Sequence, residues 1–321
     1  MGHADIHLTV AEERTIYDVA AIDRALEDGS GNRNEALNSL YDKMKQRGGG
    51  RFLVRPSHAE MVDDLYASCP NFGEVIDDVR KSLALSVAGS EPVSFTPILL
   101  LGEPGIGKTH FARELARKLG TGHEFISMSS LTAGWVLSGA SAQWNNAKPG
   151  KIAHTLVHGD FANPVLVLDE IDKAGGDHRY DPMGALYSLL EHDTARAFKD
   201  EFVEIDIDAS HILWVTTAND ERSIPEPILN RMNVYEVPRP DFEASLAIAG
   251  ALYRDILNEH DWGFPAEADD AVLERLASLP PRDMRKRLMG AFGAAKLEGR
   301  NWLESRDFDQ ARTGRSRKIG F

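Results

Sequence analysis

Gly102-Glu103-Pro104-Gly105-Ile106-Gly107-Lys108-Thr109 fits the pattern G-x-x-x-x-G-K-[ST], and its surroundings fit as well as its letters. Before it, Phe95-Thr96-Pro97-Ile98-Leu99-Leu100-Leu101 is a short apolar run that reads as a buried strand. After it, Phe111, Leu115 and Leu119 recur at helical spacing with Ala112 and Ala116 beside them, and Gly120 stands where such a helix would stop. Strand, glycine loop and helix together turn backbone N–H groups inward as a cradle for phosphate oxygens, with the helix N-terminus adding partial positive charge. Residues Glu103, Pro104, Gly105, Ile106, Gly107, Lys108, Thr109 and His110 are the expected lining. Lys108 would reach β- and γ-phosphates, and the Thr109 hydroxyl would ligate Mg²⁺.

A phosphate cradle specifies a nucleotide but not a reaction. The rest of the chemistry is expected downstream. Val165-Leu166-Val167-Leu168 is too short for a helix and suits a central parallel strand; it ends in Asp169-Glu170-Ile171-Asp172. Beside the glycine loop, Asp169 would hold Mg²⁺ through water and Glu170 would act as general base on the attacking water. The pairing of the two motifs points to Mg²⁺-dependent hydrolysis of ATP to ADP. His211-Ile212-Leu213-Trp214-Val215-Thr216-Thr217-Ala218-Asn219 is another apolar strand with a polar end, and Asn219 could orient that water.

The chain has 321 residues, enough for two or three domains, and its 42% hydrophobic content is ordinary for a globular protein. No apolar run approaches the ~20 residues that a membrane-spanning helix needs, and no signal-peptide core is present. The single cysteine, Cys69, allows no intrachain disulfide, which suits a cytoplasmic setting without a membrane partner. A net charge of -14 argues against a uniformly basic surface for nucleic acid. Basic clusters remain at Arg282, Arg285, Lys286 and Arg287 and, in the C-terminal tail, at Arg312, Arg315, Arg317 and Lys318. His154 and His158 are spaced for one helix face, but no Cys or carboxylate pattern joins them as zinc ligands.

Residues 1–70 are expected to be helical and separate, with helical spacing over 10–26 and 34–44 and glycine punctuation between. Residues 71–238 alternate strands and helices, the mark of a parallel sheet with crossover helices. Five strands are expected at 96–101, 124–128, 165–168, 211–217 and 234–237, with an additional hairpin strand around Val203, Ile205 and Ile207. Three helices should follow in 239–307, and 308–321 form a basic tail.

Ile224-Pro225-Glu226-Pro227-Ile228-Leu229-Asn230-Arg231-Met232 completes an ordered set of segments. With Leu168-Asp169-Glu170-Ile171-Asp172-Lys173, with Asp181-Pro182-Met183-Gly184-Ala185-Leu186 leading to Leu189-Leu190-Glu191, and with Phe198-Lys199-Asp200-Glu201-Phe202-Val203-Glu204, it resembles the AAA+ ATPases, specifically the ATPase module of the Lon family, over about residues 70–305. The resemblance implies an α/β P-loop NTPase core, a five-stranded parallel sheet with flanking helices, followed by a small all-α lid and preceded by a helical N-terminal segment. It implies that Phe72 and Gly73, in Asn71-Phe72-Gly73, lie near adenine. It makes Arg231 the arginine finger acting on a neighbouring subunit's nucleotide, hence a homo-oligomeric ring, expected to be a hexamer. Arg282 matches the family's second sensor, with Arg285 the other candidate. Trp144-Asn145-Asn146-Ala147-Lys148-Pro149-Gly150 matches the pore loop that faces a polypeptide substrate. Trp144 takes the aromatic place, Asn145 departs from the family's aliphatic residue, and 175–180 would form a second pore loop. Lon proteases carry a peptidase domain after the lid; residues 308–321 leave no room for one here, so the expectation is a motor that is not itself a protease.

The function expected is therefore an ATP-driven motor that remodels, unfolds or translocates protein substrates through a ring pore. Two alternatives stand beside it: a nucleic-acid motor or loader, drawing on the basic clusters, and a nucleotide-gated subunit of a larger assembly.

Overall fold

The computed structural model describes residues 9–27, 34–130, 134–144, 146–174 and 183–308. Asn145, the expected second pore loop at 175–180, the Asp181-Pro182 pair and the basic tail lie outside them. The chain divides into two compact units: one comprises the chain up to Val62, Asp77–Leu101 and Ala112–Glu236, and the other Asp63–Ile76, Gly102–Phe111 and the chain from Val237.

Nine short strands occur among the described residues of the first unit: β1 (Thr9–Thr15), β2 (Gly50–Arg55), β3 (Ile98–Leu101), β4 (His123–Ser127), β5 (Val165–Asp169), β6 (Phe198–Lys199), β7 (Asp206–Ile207), β8 (Leu213–Ala218) and β9 (Asn233–Glu236). Five of them form one sheet in the order β4-β5-β8-β3-β9, every pair parallel. The expected strands are all present, within two residues at each end. Their composition explains the arrangement. β8 is buried along its whole length and β3 and β5 along all but their last residues, which is why each reads as a continuous apolar run and not as an alternation. The expected hairpin near Val203 is reduced to the two-residue strands β6 and β7; Val203 and Ile205 are buried between them.

The leading segment has the two expected helices, Val19–Glu27 and Glu35–Arg47, but it also contains strands and is not separate. β1 pairs antiparallel with β2, from Thr9 opposite Arg55 to Thr15 opposite Gly50. Helix-prone Ala-Glu-Glu in β1 gives way to cross-strand pairing, a tertiary override of local propensity. Ile22, Leu37, Tyr41 and Met44 are buried in one core with Leu156, Val157, Leu166 and Leu168. Polar contacts fix the junction. The Tyr41 hydroxyl donates to Val203 O at 2.7 Å. Arg51, only 2% exposed, donates to Leu156 O and Val157 O, which are last-turn carbonyls of the helix Lys151–His158. A helix C-terminus leaves such carbonyls unpaired and carries partial negative charge, so the buried guanidinium is doubly matched. Buried Asn163 extends the join: its side-chain amide exchanges both hydrogen bonds with the Val54 backbone, as a neighbouring strand would.

In the second unit the helices Phe242–Glu259, Asp270–Ala277 and Pro281–Leu297 appear where helical spacing places them. Asp241 and Asp269 cap the first two by accepting from Ala244 N and Ala271 N, and Pro281 opens the third at the position where a missing N–H costs nothing. Tyr253, Ile256, Leu276, Met284, Leu288 and Phe292 form the core. After the third helix, Arg300 grips the fully buried Asp307 carboxylate through both terminal nitrogens, at 3.0 and 2.6 Å, and Glu304 N donates to the same carboxylate. Burial pushes the Asp307 carboxyl up, but Arg300 and the Glu304 N–H pull it further down, and its net position is below the usual carboxylate value. A lowered carboxyl favours the folded state at pH above the unfolded-state value and ceases to do so as pH falls through the folded value. Arg300→Ala is therefore expected to lower the melting temperature at pH 7 by roughly 5 °C or more, because one partner of a buried pair is left unmatched. The gap between variant and parent should begin to narrow below about pH 4, the unfolded-state value, and close as pH falls through the lower folded value, where Asp307 no longer gains from the guanidinium. Thermal melts at both pH values check this.

Candidate nucleotide site

In the second unit, Gly105 and Gly107 adopt φ of +85° and +105°, values that glycine reaches without strain. A side chain at Gly105 would also crowd Arg282, whose Cδ lies 3.0 Å from where a Cβ would sit. The Lys108 ammonium is drawn back onto the loop it serves, donating to Gly102 O at 2.6 Å and Glu103 O at 2.9 Å. Thr109 and His110 stand in the first turn of the helix Lys108–Leu119. Asn71 ties the segment before the helix Gly73–Gly89 to this loop, donating to Ile106 O and Pro238 O. The Phe72 ring lies flat on Phe111, centroids 4.4 Å apart and 3° between planes, and is 2% exposed. One face of the aromatic ring expected near a base is thus covered by the helix that follows the loop. Glu103 pairs with Arg239. Of the two sensor candidates, Arg282 is the one against Gly105, whereas Arg285 pairs with Glu259 at 2.5 Å on the preceding long helix.

In the first unit, the sheet sets the acidic groups. β8 lies between β5 and β3, with Leu168 opposite Thr216 and Ala218 opposite Leu101. Asp169 ends β5, Asn219 follows β8, and Leu101 leads by chain connection into the glycine loop. Thr217 locks the acidic pair. Its hydroxyl donates to Asp169 Oδ1 at 2.8 Å and accepts from Glu170 N at 2.9 Å. Glu170 has φ 57° and ψ 53°, the left-handed conformation, which costs a non-glycine residue on the order of 1 kcal/mol. The Thr217 bond holds that turn in place. Lys173 pairs with the Glu170 carboxylate, and this hydrogen bond is the main cause that raises the Lys173 ammonium above its ordinary value. Thr217 was not among the expected site residues; a threonine in a buried strand reads as β-propensity. The signal that could have found it is its place opposite the acidic strand end.

Arg231 follows the short helix Glu226–Leu229. Its Nη2 donates to Glu191 Oε2 at 3.1 Å and its Nη1 to Pro227 O. Trp144 is 52% exposed and meets Trp135, 40% exposed, edge to face at 6.1 Å. His154 and His158 stack ring on ring at 4.3 Å.

The family described as "ATPase family associated with various cellular activities (AAA)" matches residues 98–239. The Lon protease of Halothermothrix orenii is 36% identical over 190 residues, 58% of this chain and 24% of that protein. Lon protease 1 of Thermus thermophilus is 35% identical over 179 residues, 55% of this chain and 22% of the other. The chain thus spans about a quarter of the length of these relatives. Among solved structures, Hsp104 with ATPγS and casein matches with TM-score 0.59 at 18% identity, over 74% of this chain and 48% of that one. A point mutant of Thermotoga maritima RuvB matches with TM-score 0.54 at 18% identity, over 80% of this chain and 72% of that one. This chain therefore carries, over residues 98–239, an AAA domain, the domain of an ATPase. The curated relatives matched over that stretch are Lon proteases, and the likeness to Hsp104 and RuvB is one of fold. Among the described residues, no helix is long and apolar enough to cross a membrane.

Proposed function

We propose that this chain is the subunit of an ATP-driven ring, a hexamer by analogy with its relatives, that pulls on polypeptide substrates. The observation that carries this reading is the exposed Trp144, presented on a glycine-bounded loop of a Lon-like ATPase. A large, rigid aromatic ring grips an extended chain by apolar contact with little dependence on its sequence.

Each site residue takes a role in this reading. The backbone N–H groups of Glu103 and of Gly105 to His110 hold phosphate oxygens, and Lys108 exchanges its loop carbonyls for β- and γ-phosphates. Thr109 and Asp169 offer the hard oxygen donors that Mg²⁺ prefers, and Asp169 is already oriented by Thr217. Bound there, Mg²⁺ would neutralise charge on the phosphates. Glu170 takes the proton of the attacking water, with Asn219 orienting that water. Arg231 stabilises charge on the nucleotide of the neighbouring subunit, and Arg282 grips the γ-phosphate from the lid. Phe72 and Gly73 border the adenine mainly through backbone.

The test is stimulation of ATP hydrolysis by an unfolded polypeptide such as casein. Trp144→Ala should lose most of that stimulation, at least fivefold, while keeping nucleotide affinity. A nucleic-acid motor has one observation in its favour, the cationic cluster at Lys286 and Arg287 next to Arg282 and Arg285. Stimulation by DNA or RNA that Trp144→Ala leaves intact would establish that reading and end the polypeptide one.

A further inference from the structure

The loop that carries Trp144 is closed at its base. Gly139 and Gly150 meet there: a Cβ on Gly150 would stand 2.2 Å from Leu137 O and 2.4 Å from Gly139 N. Ala140 N donates to Lys148 O at 3.2 Å just above that point. One side chain fastens the base. Asp200, fully buried, accepts from Gly150 N through Oδ2 at 2.8 Å, and from Phe202 N and Val203 N through Oδ1 at 2.9 and 3.1 Å. A Cβ on Gly139, whose φ is +82°, would fall 2.3 Å from the same carboxylate. Glu201 N donates to Ser138 O at 2.7 Å, so the chain beside Asp200 holds the other side of the neck. Burial pushes the Asp200 carboxyl up to about 6 although all three N–H groups pull it down. A buried carboxylate is tolerated only where such donors meet it.

We propose that Asp200 is the positioning residue of the Trp144 loop, binding its neck to the β6–β7 turn so that motion of the ATPase core reaches the aromatic tip undamped. This rests on the reading of Trp144 as the substrate-gripping residue. The physical argument is stiffness. A loop whose ends are cinched by several short hydrogen bonds moves as a body, whereas one anchored only by its chain bends at its base. Above the neck, Trp144 N donates to Ser141 O and Ala147 N to Trp144 O, so the turn at the tip is likewise bonded.

Asp200→Asn tests this in the full-length ring. The amide cannot accept at both of its positions, so at least one of the three N–H groups loses its partner. The readout is the ratio of casein-stimulated to basal ATP turnover. The expected result is a fall in that ratio of at least fivefold, with more casein needed for half-maximal stimulation. In the near-ultraviolet circular dichroism, the signal of the Trp135–Trp144 pair should shift toward that of Trp144→Phe. A role confined to stability would lower basal and stimulated turnover together, and an unchanged ratio overturns the proposal. Hydrogen exchange on the unmodified protein keeps the question open to a negative answer if the variant does not fold. The Gly150, Phe202 and Val203 amides should exchange at least 100-fold slower than the exposed turn amides around Trp144, and a fast Gly150 amide overturns the proposal. Trp144→Ala separates the two readings. If wild-type rings show no casein stimulation, the polypeptide motor fails, and the exchange data alone decide whether Asp200 holds the neck.

Discussion

Glu170→Gln is expected to bind ATP with near-parental affinity and to turn it over at least 100-fold more slowly. Removing a positioned general base costs about 10²–10⁴ in rate. The structure gives a reason to expect a clean effect. The Glu170 backbone is held in its left-handed turn by Thr217 through the main-chain N–H, a contact that the glutamine variant keeps. The Lys173 ion pair would be lost, but both groups are partly exposed, and such pairs contribute little to stability. Binding of a fluorescent ATP analogue and steady-state phosphate release measure the two quantities separately. Turnover within fivefold of the parent would remove Glu170 from the base role. The same variant is the reagent for finding the substrate, since a ring that holds ATP without hydrolysing it should retain its polypeptide.

Arg231→Ala should lower turnover on the order of 10³-fold, the usual contribution of a cationic finger in phosphoryl transfer. In the isolated subunit the guanidinium rests on Glu191 and the Pro227 carbonyl. In the proposed role the guanidinium would trade these partners for a phosphate on another subunit. Mixing supplies the decisive measurement. Arg231→Ala subunits keep an intact phosphate cradle, and Lys108→Ala subunits keep an intact finger. Each should be inactive alone, and mixed rings should regain a substantial part of the parental rate. Mixed rings that form but stay inactive would show that Arg231 serves its own subunit.

The central sheet was legible because its physics is local. Ile98 to Leu100, Val165 to Leu168 and Leu213 to Val215 are buried on both faces, so burial appears in the sequence as unbroken apolar runs. The glycine loop was legible because only glycine takes positive φ freely. The strand at Thr9–Thr15 was not, because Ala-Glu-Glu-Arg prefers a helix until a partner strand is present, and the partner begins at Gly50. Thr217 and Asp200 escaped notice for a related reason. Each acts through hydrogen bonds to residues distant in the chain: Asp169 and Glu170 for the first, Gly150 for the second. No periodicity records such a bond. The motif favours Arg282 over Arg285 without excluding the second; in the structure Arg282 approaches Gly105, whereas Arg285 pairs with Glu259.

Arg51 bears on how this chain can be re-engineered. Its guanidinium closes a helix of the α/β unit from a strand that precedes that unit's first motif by some distance in the chain. The early residues are thus no detachable adaptor. A minimal ATPase trimmed to start near residue 70 would expose two helix-end carbonyls and an apolar surface once covered by Leu37, Tyr41 and Met44. Chimaeras that graft a foreign recruitment domain should keep everything from β1 onward and make the splice ahead of it.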